Sequence, residues 1–164
     1  MSLLSFLEID RFGSVNVSKL GARPHVTAGV GGFVDITARA KKIVFSGYFT
    51  AGAKLEVRDG AVTILKEGRV RKLVQAVEQI SFSGPRAIAQ NQEILCVTER
   101  CVLRLEPEGV TIVELAPGVD LKRDVLAEAE FPLRVAPDLR KMDPMLFHPA
   151  PINLKLLPAL GPLQ

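Results

Sequence analysis

The feature that most restricts the fold of this chain is a repeated alternation of apolar and polar residues closed by glycine turns. In AKLEVRDGAVTILKEGRVRKLVQAV the alternation runs on both sides of Asp59-Gly60. Period-two alternation flanking an Asp-Gly pair signals a β-hairpin. Glu67-Gly68 turns the chain again, and EILCVTERCVLRLEPEGVTIVEL repeats the device with Pro107-Glu108-Gly109. The two hairpins share turn chemistry only, and no internal repeat is present. Upstream, LSFLEIDRFGSVNVS reads as two strands on either side of Asp10 to Gly13.

Helical signals are fewer and shorter. GGFVDITARA predicts a short helix with Phe33, Val34 and Ile36 facing inward, and GPRAIAQNQ a second brief one. GVDLKRDVLAEAEF is the strongest candidate, with Asp120 as cap and Leu121, Val125 and Leu126 on one face. Pro137 and Asp138 lead into LRKMD, read as a final turn. The fold class is therefore α/β: a β-rich mixed sheet with several hairpins and a few short helices. One domain is expected over residues 1–147. The stretch 148–164 holds four of the eleven prolines and reads as a loosely attached tail. A strand begins by the fourth residue, which predicts a piece of something larger.

Composition excludes several classes. With 48% hydrophobic and 24% charged residues over 164 positions, the chain is an ordinary globular domain able to bury a core. A net charge of +3 demands no nucleic acid. No run approaches 18 apolar residues, and MSLLSFLEID lacks the basic start of a signal peptide, so a cytoplasmic, membrane-free setting is expected. Cys96 and Cys101 make neither a disulfide framework nor a metal motif and read as small buried apolar groups.

The glycines of GVGGF, at Gly29, Gly31 and Gly32, admit three physical uses. One is a tight turn needing positive φ. Another is a helix start whose amides meet an anion. The third is an oxyanion hole, in which amides converge on an oxygen that gains charge during acyl transfer. The spacing is not GxGxxG, and no P-loop lysine follows.

GSVNVSKLG, GVGGFVDITARAKKIVFSGYFTAG, VEQISFSG, VTER, ELAPGVDLKRDVL and DLRKMD follow one another in an order similar to that of class I CoA-transferases. From about Phe6 to Phe147 the chain resembles the C-terminal part of the acetate, propionate and acetoacetate CoA-transferase group. The resemblance implies ping-pong exchange of CoA between short-chain acids, in short-chain fatty acid and ketone-body metabolism, with no metal or redox cofactor. It also implies a glutamate nucleophile in a Glu-x-Gly setting upstream of the matched segment, and no glutamate here has that context. It places Gly29, Gly31 and Gly32 in the oxyanion loop. Partners implied are acyl-CoA and a carboxylate bound by the complete enzyme, a missing N-terminal portion or complementary subunit, and a second copy in a homo-oligomer. An alternative reading is a noncatalytic β-rich module that binds an anionic ligand or a partner protein.

Other residues carry weaker signals. Asn16, Ser18 and Lys19 in NVSKLG are candidates for substrate contacts or for turn satisfaction. Thr98, Glu99 and Arg100 read as an internal charged knot that pins a strand crossing. Lys66, Arg69, Arg71 and Lys72 form a basic stripe, expected to be a solvated edge. His25, with Val26, stands where relatives carry smaller residues and reads as a loop histidine. His25 and His148, the only histidines, give no basis for a hydrolytic triad.

Overall fold

The computed structural model describes residues 1–19 and 29–152 of the chain. His25 and Val26, and most of the proline-rich tail, lie outside the described residues. In chain order the first elements are β1 (Ser2–Ser5), β2 (Glu8–Asp10), β3 (Val15–Asn16), helix α1 (Phe33–Arg39), β4 (Lys42–Ser46) and β5 (Thr50–Ala51). Next come β6 (Lys54–Arg58), β7 (Ala61–Lys66), β8 (Val70–Arg71), β9 (Leu73–Val74) and helix α2 (Gly84–Ala89). The chain continues through β10 (Glu93–Val97), β11 (Cys101–Glu106), β12 (Gly109–Leu115) and β13 (Arg134–Lys141).

The main sheet has six strands in the order β1-β4-β10-β11-β12-β13, mixing parallel and antiparallel pairs. The predicted hairpins form where the glycines stand. Arg58 pairs Ala61 across Asp59-Gly60, both at positive φ (52° and 77°), as a two-residue primed turn requires. Glu106 pairs Gly109 at the second hairpin. Ile43 and Phe45 on β4 are fully buried, as are Ile94, Leu103 and Ile112 on β10, β11 and β12. Phe33 of α1 lies 6.0 Å from Phe45, and Phe82, which leads into α2, lies 5.3 Å from it. Both helices therefore cover the same face of the sheet.

Three local expectations need correction. In α1 the buried residues are Phe33 and Thr37, an i, i+4 pair, whereas Val34 and Ile36 are 47% and 44% exposed. Two turns of helix present only that one pair to the sheet. The segment from Leu121 makes a π-type turn to Val125 and a 3-10 turn from Leu126 to Glu128, not a regular helix. Asp120 caps it as expected, through Arg123 N at 2.7 Å, but the Asp124 carbonyl is drawn away to Arg100. The predicted final turn is instead the body of β13. Its register jumps between Val135 and Arg140, and Pro137 sits in that irregular stretch of an end strand, where a missing N–H costs no ladder bond.

Arg100 organises the charged interior. Its side chain is fully buried. Nη1 and Nη2 donate to the two carboxylate oxygens of Glu67 at 2.8 and 2.7 Å, and Nε donates to Glu99 at 3.1 Å. Nη1 also reaches the Asp124 carbonyl at 2.7 Å, and Nη2 the Thr50 hydroxyl at 3.1 Å. All five guanidinium protons thus have acceptors. The cation lies 5.2 Å from the Phe49 ring centre, and Thr98 Oγ1 accepts the backbone amides of Arg100 and Cys101. Glu99 also accepts the Phe49 amide at 2.9 Å. The expected Glu99–Arg100 pair is present, with Glu67 as a second carboxylate that arrives from the far end of β7.

Removing the guanidinium leaves two carboxylates without their cation, so Arg100→Ala is expected to cost about 3–5 kcal/mol. Arg100→Lys restores little, because an ammonium cannot make the paired contact with Glu67. Urea unfolding midpoints for the two variants measure this, and midpoints equal to the wild type would refute it. The hydrogen bond from Arg100 holds the Glu67 carboxyl down to about 2 from its ordinary 4.5. Because the folded value is depressed, its contribution is complete above 4.5 and disappears as pH falls toward 2. Glu67→Gln is expected to flatten the stability–pH curve across that window and to leave neutral pH as the point of greatest loss.

Cys96 and Cys101 are buried, and burial pushes both thiols up to about 12. The native chain at neutral pH should therefore resist maleimide until unfolded, as mass spectrometry over time would show; rapid native labelling would contradict their burial.

Candidate functional site

Three strands of the main sheet, β1, β4 and β10, run parallel. Their carboxyl ends gather Ser5 and Phe6, Ser46 to Tyr48, and Val97 to Glu99. Helix α1 runs back against β4, since Phe33 at its start packs on Phe45 near the end of that strand. At the opposite end of the helix, Gln92, just before β10, donates to the carbonyls of Thr37 and Ala40. The glycine stretch Gly29 to Gly32 therefore stands at the carboxyl ends of the parallel strands, the side on which open α/β sheets bind ligands.

Gly31 takes φ +47°, in the left-handed region, and a methyl group there or at Gly29 would meet no atom of the described residues within 4 Å. Gly32 starts α1 with an ordinary φ of −74°. Phe33 N donates to Val30 O at 2.9 Å, and Ile36 N to Gly32 O at 2.9 Å. The amides of Gly31 and Gly32 make no hydrogen bond to another described residue. Open space and approachable donors are what a main-chain anion contact needs.

Asn16 is buried and its side chain is fully engaged. Its amide donates to Glu8 and to Lys19 O, both at 2.7 Å, while its oxygen accepts from Ser18 N and Lys19 N. Asn16 thus shapes the turn that carries Ser18 and Lys19. Ser18 is 2% exposed, and its hydroxyl has no partner among the described residues. The glycine stretch and the Asn16 turn are separated in sequence by residues 20–28, outside the described residues.

A shallow concavity of about 300 Å³ opens at the carboxyl ends of β4 and β10, lined by Gly47, Tyr48, Val97, Thr98 and Glu99. Tyr48 is 64% exposed at its rim. Nearby, Lys72 turns inward from the basic stripe. Its ammonium donates to Phe6 O at 2.9 Å and lies 4.0 Å over the Phe6 ring, close against Gly47. Burial lowers its pKa, and the field of Glu99 opposes that shift. The stripe is thus split: Arg71 stays outside with Glu128, while Lys72 brings a positive charge to the carboxyl ends of β1 and β4. Sequence reasoning grouped the four basic residues by proximity. Lys72 lies between the short strands β8 and β9, where no strand alternation in the sequence separates it from Arg71.

Among the described residues no cluster of His, Cys, Asp and Glu is arranged to hold a metal, and no helix is long and apolar enough to cross a membrane. His148 lies against the Gly60 turn, away from the glycine stretch.

No family model matches the chain. It is 43% identical over 150 residues to the caffeate CoA-transferase of Acetobacterium woodii, covering 90% of this chain and 28% of the relative. It is 41% identical over 154 residues to the acetate CoA-transferase YdiF of Escherichia coli K12, covering 93% of this chain and 28% of the relative. The crystal structure of the YdiF acyl-CoA transferase apoenzyme from E. coli O157:H7 matches with a TM-score of 0.86 at 41% identity, over 90% of this chain and 28% of that one. The same enzyme in a thioester complex with CoA matches equally well. The chain thus spans a little over a quarter of the length of the relatives it matches. Over that span, in sequence and in fold, it resembles the C-terminal part of a CoA-transferase.

Proposed function

We propose that this chain is the portion of an acyl-CoA:carboxylate CoA-transferase that supplies the oxyanion loop, while another portion supplies the nucleophilic glutamate. The observation that carries the reading is the glycine stretch, approachable and at the carboxyl ends of parallel strands, in a chain 41–43% identical to two CoA-transferases. YdiF, the relative of matching fold, forms a thioester complex with CoA.

The chemistry runs through acyl transfer to a carboxylate. The glutamate attacks the acyl-CoA carbonyl, CoA thiolate leaves, and a mixed anhydride forms. The thiolate then attacks the glutamyl carbonyl, releasing the first acid and leaving a glutamyl-CoA thioester. The second acid reverses the sequence. Each attack passes through a tetrahedral centre whose oxygen carries negative charge. Backbone amides at Gly29, Gly31 and Gly32 meet that oxygen without a side chain between them. The half-buried ammonium of Lys72 adds positive potential at the same end of the sheet. Neither contribution requires a metal or redox group. The acids are short-chain carboxylates, as with the acetate enzyme, and the complete enzyme works as an oligomer in the cytoplasm.

The test uses a full-length chimera in which this chain replaces the matching part of E. coli YdiF. The chimera should exchange CoA between acetate and a second short-chain acid. In it Gly31→Ala is expected to lower kcat by about two to three orders of magnitude, the loss typical of one oxyanion donor, and to change KM for acyl-CoA little. A turnover unchanged by Gly31→Ala would remove the glycine stretch from the chemistry.

A further inference from the structure

Lys72 is a half-buried cation that no carboxylate neutralises by direct contact. None of the ion pairs among the described residues includes it. Residues 20–28 and 153–164 contain neither Asp nor Glu, so none of their side chains supplies a partner either. The field of Glu99 reaches Lys72, but both Glu99 oxygens are engaged, with Arg100 Nε at 3.1 Å and the Phe49 amide at 2.9 Å. A cation drawn partly out of water without an ion pair carries a desolvation cost that a bound anion offsets.

The surroundings of the ammonium show the direction from which an anion reaches it. Of its three N–H donors one goes to Phe6 O at 2.9 Å, and the Phe6 ring closes one side at 4.0 Å. Gly47 lies on another side. A Cβ at Gly47 would come within 3.1 Å of the ammonium and 3.0 Å of the Phe6 ring. Gly47 is not among the glycines at positive φ, so its backbone does not call for glycine; the space beside Lys72 does. The same residue lines the concavity at the carboxyl ends of β4 and β10. Other donors on that wall are spent, Gly47 N on Val97 O at 3.1 Å and the Thr98 hydroxyl on Cys101 O at 2.9 Å.

We infer that Lys72 binds the carboxylate of the acid that receives CoA, and that position 47 is glycine to let that carboxylate approach. The inference rests on the transferase reading and names the group that holds its second substrate. The acid arrives as an anion, and a compact ammonium suits a single carboxylate oxygen. With one oxygen on Lys72, the other is free to attack the glutamyl thioester carbonyl. A C–O bond forms, the C–S bond breaks, and CoA leaves as the thiolate. The carbonyl of an acyl-CoA is neutral and makes no such demand. Lys72 therefore separates the two substrates of one reaction by charge.

The test makes Lys72→Met in the YdiF chimera, which keeps an apolar stem beside Phe6 and removes the charge. KM for acetate is expected to rise about tenfold or more, the loss of one contact to a charged group, while KM for acyl-CoA changes less than about threefold. A fall in kcat with both KM values unchanged overturns the inference in favour of charge at the tetrahedral centre alone. Equal rises in both KM values with a lower urea midpoint overturn it in favour of a structural strap. A second readout needs no turnover: acylation of Lys72 by a succinimidyl ester, mapped by mass spectrometry in the isolated chain and in the chimera. Sodium acetate should slow it relative to sodium chloride at equal ionic strength and leave the exposed Lys54 unchanged. Equal rates in the two salts overturn the carboxylate site, and the isolated chain decides if the chimera does not fold. An active chimera whose KM for acetate is indifferent to Lys72→Met rejects the site alone. A folded, inactive chimera with acetate-protected Lys72 rejects the transferase reading alone.

Discussion

A guanidinium with no exposure to water holds this fold in register. Arg100 sits in the turn between β10 and β11, directly before β11, and its five protons bind Glu67, Glu99, Thr50 and the carbonyl of Asp124. Each acceptor comes from a different stretch of chain, so the ion ties the β6–β7 hairpin, the β4–β5 loop and the 121–128 turns to one point. A charge taken out of water is tolerable only when all of its partners are present. That condition makes the arrangement all-or-none and fixes the loops at the carboxyl ends of β4 and β10. Glu99 carries the constraint one step further by accepting the Phe49 amide, which sets the path of Gly47 and Tyr48.

On that fixed frame stand two features of a different kind. The glycine stretch offers main-chain amides with open space around them, and Lys72 offers a positive charge lodged over Phe6. Both lie at one end of the parallel strands. In the proposed transferase the interior supports the site and the backbone supplies the donors.

Much of the fold was legible in the sequence because its signals are local. Asp59-Gly60 and Pro107-Glu108-Gly109 mark turns through residues that tolerate their geometry, and the hairpins follow. The Glu99–Arg100 pair was legible for the same reason. Glu67 was not, because it lies 33 residues away and meets Arg100 only through the tertiary fold. The regular helix expected from Leu121 gave way to tighter and wider turns when Arg100 claimed a carbonyl, a long-range cause that periodicity does not register. Pro137 argued for a turn, but an irregular end strand accommodates it. At the site, the glycine stretch was visible as composition, whereas the inward turn of Lys72 depends on its contact with Phe6, 66 residues away in sequence. Asn16 was read as a candidate for a substrate contact or for turn satisfaction, and the structure shows it bonded to the turn that follows.

The central claim is that this chain contributes donors to an acyl transfer whose nucleophile lies elsewhere. Its most direct test is mass spectrometry of the purified chain and of the YdiF chimera, each incubated with acetyl-CoA and trapped with borohydride. The account predicts a modified glutamate in the chimera, outside the 164 residues of this chain, and no modification of the chain alone. A stoichiometric adduct on Glu8, Glu56, Glu99 or any other glutamate of this chain would contradict it.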